Sequence, residues 1–195
     1  MLTFNAEQHR YFWDGKPVAN VTRVLAELTD YSVIPAATLE VARQKGVAVH
    51  TMLDLDEKKD LDEETLPDWL KPVLAKWRQF VKETGFVTRA SESRVYHPLY
   101  KFAGTLDRYG HMAMIGGFAF VDFKRSFLAG KVIGLQLAAY RAAYAEQVPE
   151  AKKAVLFALR INENTPVRLK EYNDPACFSE FLALLTAQRI REKYK

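Results

Sequence analysis

The chain has 195 residues, 49% hydrophobic and 12% aromatic, enough to bury one core of its own and too apolar for a disordered chain. Its 28 Lys and Arg against 24 Asp and Glu leave a formal charge of +4, which admits a polyanionic partner without requiring one. Cys177 is the only cysteine and no apolar run reaches ~20 residues, which excludes an internal disulfide, a multi-thiolate zinc or iron-sulfur site and a membrane span, and predicts a single-domain cytoplasmic protein with no membrane partner.

Tyr11, Phe12 and Trp13 run into Asp14-Gly15 and then Val18, Val21, Val24 and Leu25, the pattern of a hairpin turning at Asp-Gly and feeding a short helix. Ser32 and Pro35 supply helix-start chemistry for a helix over about residues 36–53. On it Arg43, Gly46 and His50, spaced by three and four, share one face. Glycine inside a helix costs roughly 1 kcal/mol against alanine, so Gly46 marks either close approach of a neighbouring backbone or substrate, or a tolerated packing position. Acids dominate residues 54–64, whereas the tail carries Arg189, Arg191, Lys193 and Lys195. This segregation fits a basic phosphate track with the acids pointing elsewhere, and equally two solvated helix faces.

Leu70, Val73, Leu74, Trp77 and Val81 form the core stripe of a second helix over about residues 67–84, ended by Gly85. Between residues 86 and 124 the pattern becomes extended, broken at His97-Pro98, Gly104, Gly110 and Gly116-Gly117, and predicts a meander of about three strands. A helix over about 134–146 follows, then strands over 154–161 and 167–172 around Asn162-Glu163-Asn164, and a last helix with Phe178, Phe181, Leu182 and Leu185 on its apolar face.

Asp122-Phe123-Lys124 closes the apolar run that starts at Gly117. Alternate residues of a strand share a face, so Asp122 and Lys124 project together, roughly 7 Å apart. That places a carboxylate suited to a hard cation beside an amine that can relay a proton, orient water or stabilise charge; on its own the pair also reads as a surface ion pair. Gln136 and Tyr140, four apart, share a helix face.

In order, Gly46-x-x-x-His50, Glu92, Gly104-x-x-Asp107, Asp122-x-Lys124 and Gln136-x-x-x-Tyr140 resemble the PD-(D/E)XK nuclease superfamily, in the branch of RecB nuclease domains, lambda-type exonucleases and the mitochondrial genome-maintenance exonuclease. The resemblance spans about residues 41–144 and implies a restriction-endonuclease-like α/β core, a central mixed sheet with helices on both faces. It divides the chain into an N-terminal hairpin and short helix (1–35), a catalytic core (36–150) and C-terminal strands and helix (151–195). It further implies a Mg2+ site, with Mn2+ as a substitute, on Asp107, Asp122, the Phe123 backbone carbonyl and His50. Lys124 and Gln136 complete the catalytic set, and Glu92 is an accessory acid. Tyr140, Lys45 and Arg43 are implied DNA contacts, and Arg125 and Lys131 join them as flanking cations.

The implied activity is metal-dependent DNA exonucleolysis in recombination, repair or phage DNA processing, with DNA as partner, a recombination or single-strand-annealing protein as a further partner, and oligomers as known in the branch. The rivals are a structure-specific or nonspecific endonuclease and a catalytically inactive binding module. The chain departs from the pattern in having Leu106-Asp107 for Pro-Asp, Asp122 for Glu, and Lys45 for the Arg before the first glycine, which keeps charge and gives up bidentate phosphate recognition.

Overall fold

Among the described residues eight strands form one mixed sheet with helices against both faces, so the fold is α/β. The computed structural model describes residues 1–29, 32 and 34–194; Lys195, one of the four tail cations, lies outside the described residues. The elements are β1 (Leu2–Asn5), β2 (Arg10–Trp13), β3 (Lys16–Asn20), α1 (Val21–Leu25), α2 (Ala36–Lys58), α3 (Lys71–Thr84), β4 (Phe86–His97), β5 (Phe102–Met112), β6 (Gly117–Lys124), α4 (Val132–Ala145), β7 (Val155–Arg160), β8 (Arg168–Glu171) and α5 (Cys177–Lys193). The sheet runs β1-β2-β3-β5-β6-β7-β8, with β4 also on β5. The β3–β5 and β6–β7 pairs are parallel, the others antiparallel.

Local chemistry accounts for much of this. Asp14 and Gly15 both take positive φ, 48° and 75°, the geometry of a tight hairpin turn that matches strand twist. Gly85, at φ 62°, ends α3 and donates its amide to the Val81 carbonyl at 2.9 Å. The expected three-strand meander is present as β4, β5 and β6. Other boundaries move. α3 begins at Lys71 and not near Pro67, and β8 is two residues shorter than expected.

α2 runs to Lys58, five residues past the expected end at Leu53, because its last turns lack apolar periodicity but carry the Lys58–Asp54 pair at 2.6 Å and close on Lys59 in the left-handed region. β1 was not expected at all. Four residues are too few for a periodic signal, and its pairing with β2 is what makes it a strand.

Side chains alternate between two cores. On β6, Phe120 joins α1, α4 and α5, while Ala119, Val121 and Phe123 face α2 and α3; β7 alternates likewise, with Leu156 and Ala158 on one side and Phe157 and Leu159 on the other. β5 is the central strand and changes partners along its length. Its pairing with β6 runs from Met112↔Gly117 to Arg108↔Val121 and stops there, while β3 takes the same edge at Phe102 and Ala103. β6 continues beside β7 to Lys124↔Arg160, so the sheet forks after Val121.

Gly110 sits in the paired half of β5, where a Cβ would run into the Val87 carbonyl beside the irregularity in β4 at Thr88–Ala90. Gly110→Ala should therefore destabilise the domain by roughly 1–3 kcal/mol, read as a lower urea midpoint with unchanged slope.

Candidate functional site

The fork builds the site. Asp107 is the first β5 residue past the last paired rung and Asp122 is its counterpart on β6, so both carboxylates leave the sheet on one face. Asp107 Oδ2 accepts the Phe123 amide at 2.7 Å, replacing the strand–strand bond lost at the fork. Within an extended residue N–H and C=O share an edge, so the Phe123 carbonyl also points into the gap; the Lys124 carbonyl, on the other edge, accepts from Ile161 at 2.9 Å.

Because the sheet is open here, helices from opposite faces reach one cavity of about 750 Å3, lined by His50 of α2, Gln136 and Tyr140 of α4, and Glu92, Asp107 and Lys124. His50 Nδ1 lies 3.1 Å from Glu92 Oε1 and 3.7 Å from Asp107 Oδ1. Gln136 Nε2 donates to the Tyr140 hydroxyl at 3.0 Å. Tyr140, expected to contact DNA, is only 3% exposed and serves as the support of that amide. Its ring occupies the space of a missing Cβ at Gly104, which would lie 2.5 Å from it, so the Gly-x-x-Asp glycine and the Gln-x-x-x-Tyr helix are one packing unit. Gly46 has open space at its Cβ position and lines the cavity, which removes the packing explanation for it.

Two residues that carry the site, Arg108 and its partner Glu57, were not singled out in the sequence. Arg108 is fully buried; its Nε is 2.7 Å from Glu57 Oε2, its Nη1 donates to the Asp107 carbonyl at 2.7 Å and to Glu92 Oε1 at 3.3 Å, and its guanidinium lies over the Phe123 ring. Glu92 sits within β4 at φ 44°, a left-handed conformation that costs a non-glycine residue on the order of 1–3 kcal/mol and turns its carboxylate toward His50 and Arg108. The one available signal was a second charged residue, next to Asp107, in a strand rich in apolar residues, and its partner Glu57 lies on the turns of α2 beyond the expected helix end. The acidic stretch does not point away: Asp54 lines the cavity and accepts from Ser91 Oγ at 2.6 Å.

The expected flanking cations are arranged differently from the residues at the fork. Lys45 and Arg125 converge on the Glu163 carboxylate at 2.9 and 2.6 Å, both beside the Trp69 ring. Arg43 pairs with Glu40 at 2.7 Å on the exposed side of α2, and Lys131 stands at the start of α4; neither lines the cavity.

The charges are strongly coupled. Burial opposes a charge on His50, but Asp107 and Glu92, with Asp122 behind them, outweigh it and hold the imidazole up to about 9. Burial pushes Asp122 up, and Lys124 Nζ at 2.5 Å only partly offsets burial and the neighbouring Asp107, leaving the carboxyl raised to about 6. Lys124 is paired with Oδ2, and among the described residues no hydrogen bond reaches Oδ1. A buried carboxylate with one oxygen unpartnered, a second carboxylate and a carbonyl aimed into one gap form a hard oxygen donor set that fits Mg2+. His50, Glu92 and Asp107 also have ligand atoms within 4.8 Å of one another, a set that requires His50 to release its proton. No helix of the described residues is long and apolar enough to cross a membrane. A scan of protein-family models and a search of curated proteins both find no match to the chain.

A carboxyl raised in the fold above its ordinary 3.8 lowers stability once pH exceeds that value, with the full cost present above about 6. Asp122→Asn should therefore melt higher than wild type in EDTA at about pH 8, by roughly 1–3 kcal/mol, and the two should converge near pH 4. Added Mg2+ should raise the melting temperature of wild type and leave the variant nearly unmoved.

Proposed function

We propose that the chain is a Mg2+-dependent deoxyribonuclease of the PD-(D/E)XK type with a restriction-endonuclease-like core, hydrolysing DNA from an end. Its main support is the convergence of Asp107, Asp122 and Lys124 at one fork in the sheet, with His50, Glu92 and Gln136 brought to the same cavity from three other elements.

Asp107, Asp122 and the Phe123 carbonyl would hold the cation, which when bound supplies positive charge against the phosphoryl oxygens and acidifies a neighbouring water. Lys124 extends from the same strand face as Asp122, and its ammonium orients the attacking water and donates to a non-bridging oxygen. His50, charged beside Glu92 and Asp107, is a donor to the scissile phosphate so long as it keeps its proton. Gln136, anchored by Tyr140, presents its amide to the phosphate flank. Glu92 and the buried Arg108 fix the imidazole from behind. End dependence follows the motif set and a chain with little surface for reading a long base sequence.

Asp107→Ala, Asp122→Ala and Lys124→Ala should each lower Mg2+-dependent cleavage by roughly a hundredfold or more, with Lys124→Ala retaining the Mg2+-induced rise in melting temperature. Linear DNA should be degraded to short products while covalently closed circles of the same sequence persist. Equal cleavage of circles would assign the site to an endonuclease, and wild-type turnover in either Asp variant would refute the catalytic assignment. His50→Ala should lose activity without losing stability, with partial recovery in Mn2+; a lower melting temperature at full specific activity would make it a packing residue.

A further inference from the structure

A second cavity, of about 790 Å3, lies beside the first, and His9, Tyr11 and Asn20 line both. The shared wall is well tied. Asn20, 5% exposed, donates to the His9 carbonyl at 3.2 Å and accepts the Thr22 amide at 2.9 Å at the start of α1, and the Tyr11 hydroxyl is 2.7 Å from Thr105 Oγ1.

The two cavities differ in charge. In the first, Asp54, Glu92 and Asp107 are balanced by His50, Arg94 and Lys124, so without a bound cation it offers little net attraction to a polyanion. The second is lined by Arg10, Lys16, Arg23, Lys101 and Arg189 against Asp14 and Glu192. Asp14 is paired with the Met1 amine, and Glu192 accepts from Gln188 at 3.0 Å. Among the described residues Arg10, Lys16, Arg23 and Lys101 form no ion pair, in contrast to Lys45, Arg78, Arg108 and Arg125 elsewhere. Like charges gathered without partners repel, and an arriving row of phosphates relieves that repulsion while releasing its own counterions.

The cleft also holds an aromatic platform. Trp13, 36% exposed at the end of β2, stacks on Tyr96, which is 7% exposed, with centroids 4.2 Å apart and planes 10° from parallel. An indole fixed from behind and open to solvent suits a stacked, unpaired base, and stacking of this kind is tolerant of sequence.

We infer that this second cavity binds single-stranded DNA, its cations against successive phosphates and Trp13 against a base, and that it holds the strand whose end enters the first cavity; the last clause rests on the hydrolytic reading of that site. A basic, base-stacking cleft joined to the first cavity supplies the affinity that the charge-balanced cavity lacks.

The test is fluorescence anisotropy of a labelled oligothymidylate in EDTA, where hydrolysis is absent, titrated at several salt concentrations. Each lost phosphate contact lowers the slope of log affinity against log salt by about 0.7 for a single strand, so Arg10→Ala/Lys101→Ala should flatten it by about 1.4. Trp13→Ala should weaken binding roughly tenfold at unchanged slope, and duplex of the same length should bind less tightly. Wild-type affinity and slope in the double variant, unchanged affinity in Trp13→Ala, or equal binding of duplex would overturn the assignment. Binding that depends on these residues without any Mg2+-dependent cleavage would leave the cleft in place and remove the hydrolytic reading. Cleavage with binding indifferent to them would remove the cleft alone.

Discussion

At the point where β5 and β6 stop pairing, the Asp107 carboxylate accepts the Phe123 amide at 2.7 Å, and the site depends on that substitution of a side chain for a strand. If β6 had continued along β5, residues 104–107 and 122–124 would be joined by ladder bonds and the gap between them would be closed. Ending the ladder at Arg108↔Val121 leaves two carboxylates on one face, a carbonyl with no strand to donate to it, and an opening through which α2 and α4, on opposite faces of the sheet, reach the same space. A buried amide left without a partner would cost about 1–3 kcal/mol, so the Asp107 acceptor is what makes the fork tolerable.

The same fork concentrates unfavourable electrostatics. Asp122 is closed off from water with Lys124 its one charged partner, Glu92 holds a left-handed backbone within a strand, and Arg108 is buried whole among Glu57, Glu92 and the Asp107 carbonyl. Each is a local cost borne by two well-packed cores on either side of the sheet. Arg108 prevents the acids from forming an uncompensated negative cluster, and its position over Phe123 couples that charge to the strand that carries Asp122 and Lys124. The pattern fits a site whose charges are completed by a cation.

Parts of this were legible in the residues. Asp14-Gly15 specifies a turn because both central residues must take positive φ, and Gly85 ends a helix for a related reason. The meander followed from glycine punctuation, the α3 stripe from apolar spacing, and the pairing of Asp122 with Lys124 on one face from the period of a strand. These are local rules that need only a few neighbouring residues. The four-residue β1 is too short for a periodic signal, the last turns of α2 lack apolar periodicity, and the parallel join of β3 to β5 was not legible because its partners are distant in sequence.

Motif order and the period of each element marked Asp107, Asp122, Lys124, His50 and Gln136 as candidates in the sequence, and the fold brings them together at one fork in the sheet. That Glu92 contacts His50, that Arg108 and Glu57 stand behind them, that Tyr140 props Gln136 through the space left by Gly104, and that Asp54 faces the cavity were decided by tertiary structure alone. The physical reason is that a side chain's partner in a charged network is chosen by distances across the fold, and a carboxylate or guanidinium carries the same local signal whether it faces solvent or a buried counter-charge.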